Sequence, residues 1–127
     1  MREAARPASV AHGGTRFFAN LDALVEGARL VIDRPAGSRH PRVPDIVYPI
    51  DYGYLAGTTS ADGEGVDVFR GSATGTGVVG AFLTADPVKR DVEIKVLIDC
   101  TPEETARVGR LLDEGFETGD LLVLRPS

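Results

Sequence analysis

Apolar residues recur at helical spacing near both ends of the chain. Five of them between Phe17 and Ala28 follow the i, i+4, i+7, i+8, i+11 spacing of one helix face, which predicts a helix over this segment. Thr15 or Asn20 is expected to cap its start. The sequence Thr101-Pro-Glu-Glu104 is a capping box with proline at the first helical position, so a second helix is expected from here to near Gly115.

Strands are predicted where β-branched and apolar residues cluster between turn-forming residues. The expected segments are 29–33, 65–72, 78–85, 92–99 and 121–124. Alternate apolar positions from Val92 to Ile98 are typical of a half-buried strand. The stretch between the first two strands is predicted to be a loop. The order helix, strand, loop, three strands, helix, strand predicts an α+β protein, mainly β, built on a mostly antiparallel sheet or small barrel.

The stretch from Val47 to Val68 holds all three tyrosines of the chain and four acidic residues. Asp62, Glu64 and Asp67 follow a 1, 3, 6 spacing with glycines between them, so a tight turn could aim three carboxylates into one small volume. Like charges this close raise one another's pKa unless a cation lies among them. An all-oxygen ligand set suits Mg²⁺ or Mn²⁺, which makes a metal site the first hypothesis. A solvated acidic hairpin loop without function is the alternative.

Arg39 and Arg42 lie in a short basic segment that is stiffened by prolines. Guanidinium groups match phosphate oxygens bidentately, so this segment could clamp an anion. A rigid surface turn is the alternative interpretation. His40, between the two arginines, is expected to be an inert surface residue.

Length and charge narrow the classes of function. At 127 residues the chain is expected to form one domain over residues 16–127, preceded by a flexible tail over residues 1–15. The net charge of −5 argues against a nucleic-acid or anionic-membrane partner. No apolar run approaches the ~18 residues of a membrane span, and no secretory signal is apparent. Cys100 is the only cysteine and is expected to be a small buried filler in a cytoplasmic protein.

Three segments follow one another in an order that is typical of a known family. The first is Val31–Arg39, in which an acid is followed by a proline-glycine-serine turn. The second is the Tyr-Pro-Ile-Asp-Tyr-Gly-Tyr run of Tyr48–Tyr54, and the third is Asp-Gly-Glu-Gly-Val-Asp at Asp62–Asp67. In this order they resemble soluble family I inorganic pyrophosphatase. Asp86 and Asp91, five residues apart, resemble that family's second pair of metal-binding aspartates. The similarity covers roughly residues 29 to 99.

The resemblance implies a small OB-like antiparallel β-barrel with two flanking helices and Mg²⁺-dependent hydrolysis of pyrophosphate to two phosphates. The metal ligands that it implies are Asp62, Glu64, Asp67, Asp86 and Asp91. The catalytic residues that it implies are Glu64, Asp67 and Tyr52. Arg39, Arg42 and Tyr48 would bind the substrate. Mn²⁺ is a second metal that the ligand set accepts, and a chain of this size could form a homo-oligomer.

Two positions depart from the family pattern. Glu64 replaces the middle aspartate of the triad, and Glu93 stands where the family has a phosphate-binding lysine. Two alternatives to pyrophosphate hydrolysis therefore stay open. One is a hydrolase of another phosphoanhydride or phosphoester, and the other is a non-catalytic metal-binding or interaction protein on the same barrel.

Overall fold

The computed structural model of this chain describes residues 14 to 126. Two α-helices lie near the two ends of this range, α1 (Thr15–Gly27) and α2 (Pro102–Arg110). The tail predicted over residues 1–15 lies outside the described residues apart from Gly14 and Thr15, and Thr15 already belongs to α1. Within residues 14 to 126, no helix combines the length and the apolarity needed to cross a bilayer.

Within residues 14 to 126, six strands form a single sheet. They are β1 (Arg29–Arg34), β2 (Asp51–Ala56), β3 (Val66–Arg70), β4 (Val78–Asp86), β5 (Asp91–Ile98) and β6 (Leu121–Leu124). Their order is β1-β2-β3-β5-β4-β6, and neighbours are antiparallel except β3 and β5, which are parallel. The predicted α+β, mainly β class is confirmed. Across the described residues the sheet is open, with β1 and β6 as its edges, so it does not close into a barrel.

The structure has a strand, β2, where the sequence predicts a loop. Tyr52 and Tyr54 favour a strand, but Gly53 between them and the acids around them weaken that signal. Pairing on both sides, to β1 and to β3, makes this segment a strand. The predicted cap of α1 is also wrong, since Gly14 occupies the N-cap position and no side chain caps the helix.

The predicted capping box of α2 is confirmed. Glu104 N donates to Thr101 Oγ1 at 3.1 Å, and Thr101 N donates to Glu104 Oε1 at 2.9 Å. The Glu104 carboxylate also accepts a hydrogen bond from Ser72 N at 3.1 Å, which ties the start of α2 to the end of β3. The helix continues as a π-helical turn over Leu111–Gly115, so it ends where the sequence predicted but with a wider last turn.

Two apolar clusters occupy opposite faces of the sheet. One joins α1 to strand residues such as Leu55, Val68 and Val96. The other joins α2 to Phe69 and Leu97, among others, and includes the buried Cys100, as expected for a filler. Side chains alternate between faces along a strand, so both faces of β5 are covered in its second half. The prediction of a half-buried strand is therefore wrong there, and Lys95 is only 9% exposed.

The close approach of β1 and β2 leads to a testable prediction at Gly53. A Cβ atom at this position would overlap the backbone carbonyl oxygen of Val31. We expect Gly53→Ala to lower the free energy of unfolding by about 3 kcal/mol or more, because backbone rather than a flexible side chain would have to move. Urea denaturation measures this change.

Gly27→Ala is the matched control, since a Cβ at Gly27 meets no atom within 4 Å. This substitution is expected to leave stability unchanged or to raise it by up to about 1 kcal/mol. Equal stability of Gly53→Ala and the wild-type chain would contradict the pairing of β1 with β2.

Candidate functional site

An open cavity of about 720 Å³ lies on the face of the sheet that is covered by α2. Side chains two residues apart on a strand share a face, so neighbouring strands present several residues to it. The strand residues that line it include Tyr52 and Tyr54 of β2, Asp67 and Phe69 of β3, Thr84 and Asp86 of β4, and Asp91, Glu93 and Lys95 of β5. The cavity is thus built mainly from the central strands of the sheet.

Most site residues predicted from the sequence meet in this cavity. Asp62, Glu64, Asp67, Asp86, Asp91, Tyr48, Tyr52 and Arg42 all line it. Arg39 is not among the lining residues, and its guanidinium donates a hydrogen bond to Pro44 O at 2.7 Å within its own loop. Residues from separate segments of the chain therefore converge, although their roles stay predictions.

Lys95 lies between two of the carboxylates. Its ammonium nitrogen donates to Asp67 Oδ2 at 2.8 Å and to Glu93 Oε1 at 2.6 Å. The nitrogen also lies 5.7 Å from the centroid of the Tyr52 ring. The parallel register of β3 and β5 sets Asp67 directly opposite Lys95, so backbone pairing enforces this contact. The sequence pattern predicts no role for Lys95.

The charges of this group support one another. Burial disfavours the Lys95 ammonium, but the charge of Asp67 and the hydrogen bonds to Asp67 and Glu93 outweigh it and raise the pKa of Lys95 above its ordinary value. Burial also disfavours the Glu93 carboxylate, yet the hydrogen bond and charge of Lys95 lower the pKa of Glu93 overall. Burial raises the pKa of Tyr52, so its phenol stays protonated and can donate a hydrogen bond.

The turn between β2 and β3 carries Asp62 and Glu64. Asp62 Oδ1 accepts hydrogen bonds from Ser60 Oγ at 2.5 Å and from Glu64 N at 2.9 Å. These two bonds lower the pKa of Asp62, so it stays ionised. Gly63 has φ of 87°, a left-handed conformation that glycine adopts without strain. Local hydrogen bonds therefore hold this acidic turn at the rim of the cavity.

The second predicted pair of aspartates lies at the turn end of the β4–β5 hairpin, where Asp86 pairs with Asp91. Asp86 Oδ1 accepts hydrogen bonds from Val88 N at 2.9 Å and Lys89 N at 3.1 Å, which shapes the turn. Desolvation and a hydrogen bond with Glu93 raise the pKa of Asp91. Two acids thus face each other across the hairpin.

Arg34 lines the cavity, although the sequence pattern predicts no role for it. Its guanidinium donates to the Tyr48 hydroxyl at 2.5 Å and lies 5.5 Å from the centroid of the Tyr48 ring. Regular pairing would set Asp33 opposite Tyr52, but the register shifts between Ile32 and Arg34 and sets Arg34 there instead. This bulge turns Arg34 toward the cavity face. No sequence pattern marks the bulge.

Aromatic rings form one wall of the cavity. Tyr48 stacks on Tyr52 at 5.3 Å between centroids, and His40 lies parallel to Tyr48 at 6.4 Å. His40 Nδ1 accepts hydrogen bonds from Arg42 N at 3.1 Å and Val43 N at 3.2 Å. Desolvation, with the charges of Arg34 and Arg42, lowers the pKa of His40. His40 therefore orders the loop that carries Arg42 rather than lying inert on the surface.

The cavity is acidic overall. Among the residues that the structure describes, seven carboxylates line it (Asp33, Asp62, Glu64, Asp67, Asp86, Asp91 and Glu93). Four cationic side chains line it (Arg34, Arg42, Lys89 and Lys95), which leaves three formal negative charges in excess. This excess disfavours a polyanion in the cavity unless additional cations accompany it.

The donor set fits Mg²⁺ in kind, because carboxylate oxygens are the ligands that this ion prefers. Within residues 14 to 126, no three His, Cys, Asp or Glu side chains converge closely enough to share an ion as they stand. At Asp67 the Lys95 ammonium occupies the place of a metal ion, since it contacts one carboxylate oxygen at 2.8 Å. A metal ion would require these side chains to reorient.

Comparison with known proteins supports the fold. No protein-family model matches the chain, and no curated protein matches it significantly in sequence. A crystal structure of an inorganic pyrophosphatase from Neisseria gonorrhoeae is similar, with a TM-score of 0.51 over 76% of this chain and 79% of that chain. The sequences are 16% identical in this comparison. The likeness shows a pyrophosphatase-like, OB-like fold, here with an open sheet.

Asp51 ties together the elements that carry the cavity residues. Its Oδ1 accepts from Ala36 N at 2.9 Å, and its Oδ2 accepts from the Arg70 guanidinium at 2.9 Å. These bonds fix the segment after β1 and the end of β3 onto β2. They also lower the pKa of Asp51 from its ordinary value of 3.8.

The lowered pKa of Asp51 predicts a pH-dependent stability. Because the folded pKa lies below 3.8, ionised Asp51 stabilises the fold above that pH, and this contribution disappears as the pH falls through the folded pKa. Asp51→Asn should lower the free energy of unfolding by about 1 kcal/mol at neutral pH, and the difference from the wild-type chain should shrink in acid. Urea denaturation across this pH range measures both.

Asp45→Asn, at an exposed loop position, is the control and should change stability by less than about 0.5 kcal/mol. A difference between Asp51→Asn and the wild-type chain that stays constant down to strongly acidic pH would contradict the assignment.

Proposed function

We propose that this protein hydrolyses inorganic pyrophosphate to two phosphates in a Mg²⁺-dependent reaction. The observation that carries the proposal is the convergence of carboxylates and cationic side chains in one acidic cavity of a pyrophosphatase-like fold. The excess of negative charge in that cavity supports a metal requirement, because pyrophosphate is itself a polyanion. Mn²⁺ is a second candidate ion on the same chemistry.

Five carboxylates would hold the ions. Asp62, Glu64 and Asp67 would hold the activating ions, and Asp86 and Asp91 would hold ions that enter with the substrate. Bound Mg²⁺ would acidify a coordinated water and neutralise phosphate oxygens.

The side chains of the chain supply the remaining chemistry. Arg34, Arg42 and Lys89 face the cavity and would neutralise the two phosphoryl groups. The oxygen of a water molecule would form a bond to one phosphorus atom while the bridging P–O bond breaks, and the leaving phosphate takes that electron pair. Glu64 or Asp67 would accept the proton of the water. Tyr52, protonated in this environment, would donate a hydrogen bond to a phosphate oxygen.

The size of the cavity favours a second candidate function. Its volume of about 720 Å³ lies in the range of about 300–1,000 Å³ that suits drug-sized ligands, and pyrophosphate is much smaller. A larger phosphoanhydride or a phosphoester could therefore be the substrate of the same carboxylates. Assays with a nucleoside diphosphate beside pyrophosphate distinguish these substrates.

Phosphate release from pyrophosphate tests the proposed reaction. We expect turnover that requires Mg²⁺, and we expect Asp67→Asn to lower kcat at least about 10²-fold, because it removes both a metal ligand and a proton acceptor. Asp45→Asn, which lies outside the cavity, is the control for the loss of one acidic residue and should keep wild-type turnover. Mg²⁺ binding without turnover on any phosphorylated substrate would favour a non-catalytic metal-binding protein.

Arg34 generates a separate prediction for substrate binding. Arg34→Met should raise KM for pyrophosphate about 10-fold or more, since it removes a charged hydrogen-bond donor from the cavity. Arg29→Met, at the exposed start of the same strand, is the matched control and should leave KM unchanged. Equal KM values for the two variants would remove Arg34 from the binding site.

A further inference from the structure

Lys95 occupies the interior of the carboxylate cluster as a cation supplied by the chain itself. Its side chain is 11% exposed, and its nitrogen lies 2.8 Å from Asp67 Oδ2 and 2.6 Å from Glu93 Oε1. Asp67 is also one of the proposed metal ligands. Two cations would therefore bind the same carboxylate, namely the ammonium that the structure shows and the Mg²⁺ that the proposed function requires.

We propose that Lys95 is a positioning residue that competes with Mg²⁺ for Asp67 and thereby sets the metal affinity of the cavity. The inference rests on the proposed function in one respect, since it takes Mg²⁺ as the ion. Without metal, the Lys95 ammonium neutralises Asp67 and Glu93. When Mg²⁺ binds at Asp67, the ammonium withdraws from this carboxylate and stays on Glu93.

The geometry allows this exchange with little movement of the backbone. Glu93 and Lys95 lie two residues apart on β5 and therefore on the same face of the sheet. The lysine stem has several rotatable bonds, so its nitrogen can leave Asp67 without breaking the contact with Glu93. A divalent ion and an ammonium repel each other at this distance, so both cannot share Asp67 without loss of affinity. Binding of one cation at Asp67 thus weakens binding of the other.

Lys89 provides a matched control for the loss of one positive charge. It lines the same cavity and lies 3.5 Å from Glu93 and 3.7 Å from Asp91, but its side chain is 64% exposed. Lys89→Met removes the same charge as Lys95→Met while leaving the contact between Lys95 and Asp67 in place. The comparison separates the general charge of the cavity from competition at one carboxylate.

The test is the dissociation constant of Mg²⁺, measured by calorimetry at constant ionic strength without substrate. Lys95→Met should bind Mg²⁺ at least about 10-fold more tightly than the wild-type chain, because it frees a partly buried carboxylate whose side chain is 28% exposed. Lys89→Met should change the affinity by less than about 3-fold, because exposed charges interact weakly. Lys95→Arg keeps the charge and should restore weaker binding. Equal affinities of the wild-type chain, Lys95→Met and Lys89→Met would overturn the inference.

A double-mutant cycle locates the competition at Asp67. In an Asp67→Asn background, Lys95→Met should no longer tighten Mg²⁺ binding, since the contested carboxylate is gone. A tightening of the same size in this background would overturn the inference. Lys95→Gln serves as the neutral variant if Lys95→Met does not fold.

Thermal denaturation provides a second readout. Lys95→Met without Mg²⁺ should melt below the wild-type chain, because Asp67 and Glu93 lose their shared cation, and saturating Mg²⁺ should raise its melting temperature more than that of the wild-type chain. A merely structural role of Lys95 predicts the first effect without the second. The absence of the second effect would therefore count against the inference.

Failure of this inference and failure of the proposed function look different. Mg²⁺-dependent turnover, together with a Mg²⁺ affinity that is the same with and without Lys95, would overturn the inference and leave the proposed function intact. Mg²⁺ binding by Lys95→Met but not by the wild-type chain would support the inference and argue against a Mg²⁺-dependent reaction in the natural protein. No Mg²⁺ binding by any variant would overturn both.

Discussion

The parallel pairing of β3 with β5 places Asp67 directly opposite Lys95, and the cavity depends on this contact. In the strand order β1-β2-β3-β5-β4-β6, this pair joins the three strands of the first half of the chain to the three strands of the second half. The acidic turn and Asp67 come from one half, and the β4–β5 hairpin with its aspartates comes from the other. The ion pair of 2.8 Å joins them across the floor of the cavity.

A shielded ion pair of this kind does not by itself make a protein more stable. Removing charges from water is unfavourable, and the attraction between the partners offsets this only when the geometry is good. Glu93 and Tyr52 improve the geometry by surrounding the ammonium. The contact therefore specifies an arrangement of charges more than it stabilises the fold, which is carried by the two apolar clusters on either side of the sheet.

The carboxylates of the candidate site could be found from the sequence because their spacing is local. Asp62, Glu64 and Asp67 lie within six residues, so the turn before β3 carries the first two to the cavity and the start of β3 carries the third. Arg34 could not be found, since a shift in pairing with β2 decides which way it points. The burial of Lys95 in the cavity could not be predicted either, because a polar residue on an alternating strand is expected to face solvent. Such features depend on pairing between distant segments.

The spacing of Glu93 and Lys95 along β5 decides which carboxylates the Lys95 ammonium can reach. Lys95 stands two residues after Glu93 on the same strand. A step of two residues keeps the side chain on the same face and moves it about 7 Å along the strand. This step places the Lys95 ammonium 2.8 Å from Asp67 Oδ2, while Asp91 has the more exposed Lys89 beside it at 3.7 Å. The two lysines therefore differ in what they can hold: the Lys95 side chain, 11% exposed, is committed to Asp67 and Glu93, whereas the Lys89 side chain, 64% exposed, keeps its ammonium largely in solvent.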